Sequence, residues 1–235
     1  NDIFFVTFNF RLDISSQISY TICDEVIMMQ RSDYLKQIES RIAAAPSGTA
    51  FVASDFLDIA DSDAVRKALS RLTECGKLRR IVRGVYDCPR YSSLLQEYEA
   101  PNIEETAKAI ARNFGWHIAP CGDTALNLLG LSTQVPAVWQ YVSDGPYRDY
   151  TIGNIQLKFK HTSNKDLSGQ SYATALLTQA LKALGKHNID EHVIRKLREQ
   201  YQFSENGPDI LTESQHGTVW ILEMKKAILS GDEKE

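Results

Sequence analysis

The stretch Asp61 to Cys88, DSDAVRKALSRLTECGKLRRIVRGVYDC, decides how the first half of the chain is read. Asp61-Ser62-Asp63 is a tight turn and a helix cap, because short polar side chains there can accept the unpaired amides of a first helical turn. Val65, Ala68, Leu69 and Leu72 fall within one narrow arc at about 100° per residue. The helix that follows, from about Asp63 to Cys75, must therefore bury that stripe. Arg66, Lys67, Ser70, Arg71 and Glu74 occupy its other side, and Gly76 stands where a left-handed residue closes a helix. Beyond it KLRRIV alternates, Arg83-Gly84 turns and VYDC continues, which reads as a two-stranded hairpin ended by Pro89.

Positive charge is gathered here. Residues 66–90 hold eight basic residues against two acidic ones, a local excess of six in a chain of formal net charge -4, so the remainder stands at -10. A polyanionic partner explains that segregation: the basic face docks and the acidic remainder points away.

Working upstream, Tyr34, Leu35, Ile38, Ile42 and Ala45 recur at helical spacing from Ser32, and Pro46-Ser47-Gly48 stops them. A short run, Thr49 to Ala53, leads to Ser54-Asp55, read as the N-cap of a brief helix ending near Ala60. Helix, short helix, tight turn, basic-faced helix and basic hairpin, in that order, predict a winged helix-turn-helix. Its second helix would lie in the major groove with Ser62, Asp63, Arg66, Lys67 and Ser70 toward base edges. Arg71 and Lys77 extend the basic face, and Arg79, Arg80 and Arg83 of the wing would reach phosphates or the minor groove. The plainer alternative is a solvated basic surface on a protein-interaction module.

Downstream, residues 90–101 read as a polar linker between Pro89 and Pro101, and residues 102–235 as a second, mixed α+β domain. Asn102 caps a helix that ends before Gly115, GWHIAP is a strand, and Asp123 caps the small helix TALNLL. Two strands follow, AVWQYVSD and IQLKFKHT, joined through the turn-rich GPYRDYTIGN; helices over 171–186, 189–201 and 218–229 complete the chain. The fold class predicted is α+β, an N-terminal winged helix-turn-helix followed by a mixed C-terminal domain. Residues 1–31 are read as an N-terminal extension with neither the charged start nor the cleavage site of a signal peptide, with Met28 or Met29 as the natural start or, alternatively, a strand that joins the sheet of a later domain. The four cysteines, Cys23, Cys75, Cys88 and Cys121, lack paired spacing and are read as reduced thiols, with a cytoplasmic location. No run approaches the roughly 18 apolar residues of a membrane span.

An enzyme reading finds little purchase. A metal-dependent nuclease of the restriction type would use Asp144 and Asp149 with the strand IQLKFKH, but Gln156 stands where a second metal-binding carboxylate is needed. The alternating strand instead places Ile155, Leu157 and Phe159 inside, and Gln156, Lys158 and Lys160 outside. The histidines are scattered, and His187 and His192 miss the four-residue spacing of a helical ligand pair. No catalytic residue, metal site or cofactor is predicted. The turn Tyr147-Arg148-Asp149-Tyr150 is a candidate recognition surface, the other aromatics a second core.

Leu72, Gly76, Leu78, Arg80, Ile81, Arg83, Gly84, Val85 and Tyr86 resemble the wing of AbiEi-type antitoxins, and AIARNFGWHIAPCGDTALNLLGLSTQVP, Ala109 to Pro136, is similar to the start of the domain that follows the wing in that family. The resemblance covers about Ser32 to His161; the extension before Met28 is not part of the family pattern. It implies an antitoxin of a bacterial type IV toxin-antitoxin system tied to phage defence. The winged helix would bind inverted repeats in its own promoter DNA and repress the operon. The C-terminal domain would counter a nucleotidyltransferase toxin without a stable complex being required. By position Arg66, Lys67, Arg71, Arg79, Arg80 and Arg83 inherit the DNA contacts, and a palindromic operator would admit a homodimer.

Overall fold

The structure, a computed structural model, describes residues 33–162, 167, 169–201, 207–213 and 218–230. The readings of residues 1–31, of the Met28 or Met29 start and of Cys23 lie outside the described residues. The fold is mixed α+β.

Helix α1 (residues 33–44) stops at Pro46 and leads into strand β1 (Ala50–Val52). A 3-10 turn over Ala53–Phe56 follows, then α2 (Ser62–Glu74). Strands β2 (Arg79–Val82) and β3 (Val85–Asp87) form the hairpin, with Gly84 at φ +83° in the turn. The hairpin is not two-stranded, because β1 joins β3 to give an antiparallel sheet of order β1-β3-β2. Phe51 pairs with Tyr86 while Ala50 and Val52 pair with Asp87 and Val85, so alternation sends them to opposite faces. One face packs Phe51 with Ile38, Phe56, Val65, Leu69 and Leu72 of the helical layer. The other places Ala50, Val52 and Val85 in a cluster with Ile103, Ile110, Tyr141 and Phe159 of the second half. A sheet buried on both faces explains why β1 is apolar throughout, which concealed its period of two.

Two local expectations give way. Ser54-Asp55 does not cap a helix from outside: Asp55 lies within the 3-10 turn, where its carboxylate accepts the Val52 amide at 2.9 Å. It also meets Arg112 at 3.2 Å, a contact from far downstream. Residues 90–101 are not an unstructured connector, since β4 (Tyr91–Ser92) and β5 (Glu97–Tyr98) pair as a separate ribbon.

Helix α3 (Ile103–Phe114) starts as read, with Asn102 Oδ1 accepting the Glu105 amide at 3.1 Å, and closes on Gly115 at φ +69°. A four-stranded sheet of order β6-β7-β9-β8 follows: β6 (Ile118–Pro120), β7 (Val138–Ser143), β8 (Arg148–Ile152) and β9 (Ile155–His161). The segment read as a long turn is itself β8. Strand β7 runs parallel to β9, and β8 supplies the return on the far side of β9. Between β6 and β7, α4 (Asp123–Leu128) begins at Asp123 with Gly122 in the capping position, so Asp123 is not the cap. In β9 Leu157 and Phe159 are buried while Gln156 and Lys160 are exposed. Helices α5 (Tyr172–Leu184), α6 (Glu191–Tyr201) and α8 (Val219–Leu229) match the sequence reading closely; α7 (Gly207–Glu213) is additional. They pack with α4 around Leu177, Leu181, Leu197, Ile210 and Ile228.

Candidate nucleic-acid interface

The stripe Val65, Ala68, Leu69 and Leu72 is buried, which fixes the rotation of α2 and turns Ser62, Arg66, Lys67, Ser70 and Arg71 to solvent. Asp61 caps the helix, its carboxylate accepting the Asp63 and Ala64 amides at 2.9 Å each. Those bonds, the Ala64 amide above all, hold its carboxyl below the usual carboxylate range. Arg66 folds back on the first turn: its guanidinium donates to Ser62 Oγ at 3.0 Å and ion-pairs with Asp63. Ser70 donates to Glu74 at 3.1 Å.

The hairpin divides its arginines by the same alternation that builds the sheet. Arg79 pairs across the strands with Asp87 and Arg80 with Tyr86, so they point to opposite faces. Arg79 is engaged internally: Nε and Nη2 reach the Asp87 carboxylate at 3.0 and 2.6 Å, and Nη1 donates to the Glu99 carbonyl at 2.9 Å. With Asp87 buried, that fork neutralises a carboxylate inside the fold. Arg79 is accordingly a structural residue, whereas Arg80 and Arg83 are exposed. Lys77 pairs with Glu39 of α1 at 3.1 Å.

The predicted residues thus separate into two sets. Lys67, Arg71, Arg80 and Arg83 are exposed and, among the described residues, make no ion pair; Ser62, Arg66, Ser70, Lys77 and Arg79 hold partners within the chain. Asp61 and Asp63 bring negative charge to the N-terminus of α2, so excess positive potential lies along its middle and on the hairpin.

A cleft of about 500 Å³ opens beside the hairpin turn, lined by Arg83, Gly84, Asn113, Phe114, Arg148, Asp149 and Tyr150. Arg148 lies over the Phe114 and Trp116 rings at 4.7 and 5.5 Å, and those rings stack at 4.8 Å. The sequence reading singled out the Tyr147–Tyr150 turn but did not place it against Arg83. The packing of α3 and β8 against the first sheet joins them, and no local pattern signals that.

The residues considered for metal chemistry are occupied. Asp144 accepts the His117 amide at 2.9 Å and lies 2.8 Å from His117 Nδ1. Asp149 stands opposite Lys158 in the β8–β9 register. Among the described residues no group of three or more His, Cys, Asp or Glu could hold a metal ion. Cys75, Cys88 and Cys121 are free thiols. No described helix is long and apolar enough to cross a membrane.

Fold and surface define a mixed α+β protein with an exposed basic helix-and-hairpin face. The chain belongs to a family of unknown function, DUF6088, whose model matches residues 37–206. No curated protein matches the sequence.

Proposed function

We propose that residues 33–87 are a winged helix and that the protein is a DNA-binding transcriptional repressor. The observation that carries this reading is the unpaired, exposed set Lys67, Arg71, Arg80 and Arg83, gathered on one helix and the adjoining hairpin. Cations that make no ion pair among the described residues are free to neutralise phosphates and release the counterions condensed on duplex DNA, a large source of affinity for it. Arg66, braced by Ser62 and Asp63, is held near the N-terminus of α2, where a recognition helix meets base edges and where a guanidinium suits guanine. Asp61 and Asp63 would repel phosphate at that end, which favours a dock with the helix start in the groove and the backbone against Lys67, Arg71 and the wing.

The resemblance to AbiEi-type antitoxins extends the proposal. The repressor would act on inverted repeats in its own promoter, and residues 102–235 would counter a nucleotidyltransferase toxin. No group described above carries that second activity, so it rests on the resemblance alone.

The deciding experiment is binding of the full chain to labelled DNA from upstream of its own gene, against a scrambled duplex, across a salt series. Salt-sensitive binding that prefers the upstream DNA is the expected result. No binding at low salt overturns it. Co-expression with a neighbouring nucleotidyltransferase tests the antitoxin role separately: growth should be restored, and restored equally by an R80A/R83A variant that no longer represses.

A further inference from the structure

Four of the nine large apolar side chains exposed among the described residues lie on one short ribbon: Tyr91 (56%), Leu94 (90%), Leu95 (63%) and Tyr98 (64%). Among the described residues, strands β4 and β5 pair only with each other. A two-stranded ribbon of that size is not stable by itself in water. Its root, however, is pinned to the first half. Arg79 donates to the Glu99 carbonyl at 2.9 Å, Arg90 to Ser47 Oγ at 3.1 Å, and the Glu99 amide to the Arg90 carbonyl at 2.8 Å. The tip is shaped too: Ser92 Oγ accepts the Leu95 amide at 3.3 Å, and Gln96 takes φ +55°, the left-handed region that a side chain disfavours. The result is an arm with a fixed root and an apolar tip, ordered in advance of binding.

A groove of about 690 Å³ opens between α1 and the end of α2, with Ala43, Leu72 and Leu78 in its wall, Lys36 at its rim and the Glu39–Lys77 ion pair beside it. It runs out at Cys88 and Pro89, immediately before the arm.

We propose that this groove receives the arm of a second copy of the chain, reciprocally, to form a two-fold dimer. A partner arm seated there, with Leu94 and Leu95 between α1 and α2, passes close to the root of the first arm. The two ribbons then lie side by side, which covers Tyr91 and Tyr98 as well. Every contact occurs twice and the two-fold closes, leaving no unsatisfied patch for further growth. Charge agrees with this occupant: Lys36 at the groove and Glu97 on the arm are exposed, opposite in sign, and make no ion pair among the described residues. The inference does not rest on DNA binding.

Sedimentation of the full chain tests it. The wild type is expected to be a dimer at about 50 µM with a melting temperature that rises with protein concentration, and L94D/L95D a monomer with unchanged circular dichroism and a concentration-independent melting temperature, since both side chains lie outside the core. K36E and E97K should each weaken the dimer about two- to fivefold, as for a partly exposed pair, and restore it in combination. A groove thiol gives a direct readout. In a C23S/C75S background, mixed light and heavy L94C chains should form a disulfide between Cys88 of one mass and the introduced thiol of the other. A monomeric wild type, an unaltered dimer in L94D/L95D, or linkage confined to one isotopic mass each overturns the proposal; in the first case the arm is left to a different protein.

Discussion

Lys108 on α3 lies 2.9 Å from Glu104 and 3.1 Å from Glu105, and Arg112 on the same helix reaches back to Asp55 at 3.2 Å. Burial opposes the charge on Lys108, but the two carboxylates outweigh it and raise its pKa. Lys160 donates to Gln140 at 2.7 Å, and Arg148 is stacked on two rings. On α2 and the β2–β3 hairpin, by contrast, Lys67, Arg71, Arg80 and Arg83 are exposed and make no ion pair among the described residues. The two sets hold the same residue types in opposite employment: these cations of the second half assemble the fold, and those four of the first remain available to a partner. Counting arginines would have missed the distinction, and Arg79 shows why, since it belongs to the basic stretch in sequence and to the interior in space.

The largest expected effect tests that exception. R79A leaves the buried Asp87 carboxylate without its cation and should cost about 3–5 kcal/mol of stability by denaturant unfolding. R83A should leave stability within about 0.5 kcal/mol of wild type. Equal losses in the two variants would erase the division.

Next in size is Lys225 on α8, buried in the helical layer, where its ammonium donates to Thr178 Oγ1 at 2.7 Å and burial pushes its pKa down to about 8. The folded chain binds this proton less tightly than the unfolded chain. Stability should therefore rise between pH 8 and about 10.4, the ordinary lysine value, by on the order of 3 kcal/mol relative to K225M. The contribution is lost as pH falls through about 8. Parallel profiles of the two proteins would show that the shift is not expressed.

Smaller effects sharpen the reading of the first half. K67A, R71A, R80A and R83A should each reduce the salt slope of DNA binding by about one unit while leaving sequence preference intact. R66A should cost about 1–3 kcal/mol against the preferred site and little against a scrambled one. A uniform loss would assign Arg66 to the backbone. Smallest is D61A, which removes the cap of α2 and should destabilise by about 1 kcal/mol in thermal unfolding.

Much of the local structure was legible. The bounds of α2 and α3, the positions of Asp61, Asn102, Gly76 and Gly115, and the alternation of β9 all follow from patterns within one element. Misreadings fell where a contact from elsewhere intervened. Asp55 looked like a cap because a short acidic residue after a strand usually is one, but Arg112, 57 residues on, helps hold it within the turn. Strand β8 was hidden inside RDYTI because Tyr147 to Asn154 is rich in turn residues, and its partner β9 supplies the pairing that makes it a strand. The ribbon of residues 91–98 looked like a linker because Pro89 and Pro101 bracket a polar stretch, and only the pairing of β4 with β5 makes it a ribbon.

The sequence by itself determined where α2 and α3 begin and end, which stripe of α2 is buried and that an excess of positive charge lies in residues 66–90. Those are properties of near neighbours, set by capping, by the 3.6-residue period and by composition. The tertiary structure alone decided that β1 completes the first sheet, that this sheet is covered on both sides, that Arg79 serves Asp87 while Arg80 and Arg83 do not, and that Arg83 shares a cleft with Arg148. Each depends on which distant segment supplies the opposing surface, and alternation along a strand says only that two residues face apart, not what either one meets.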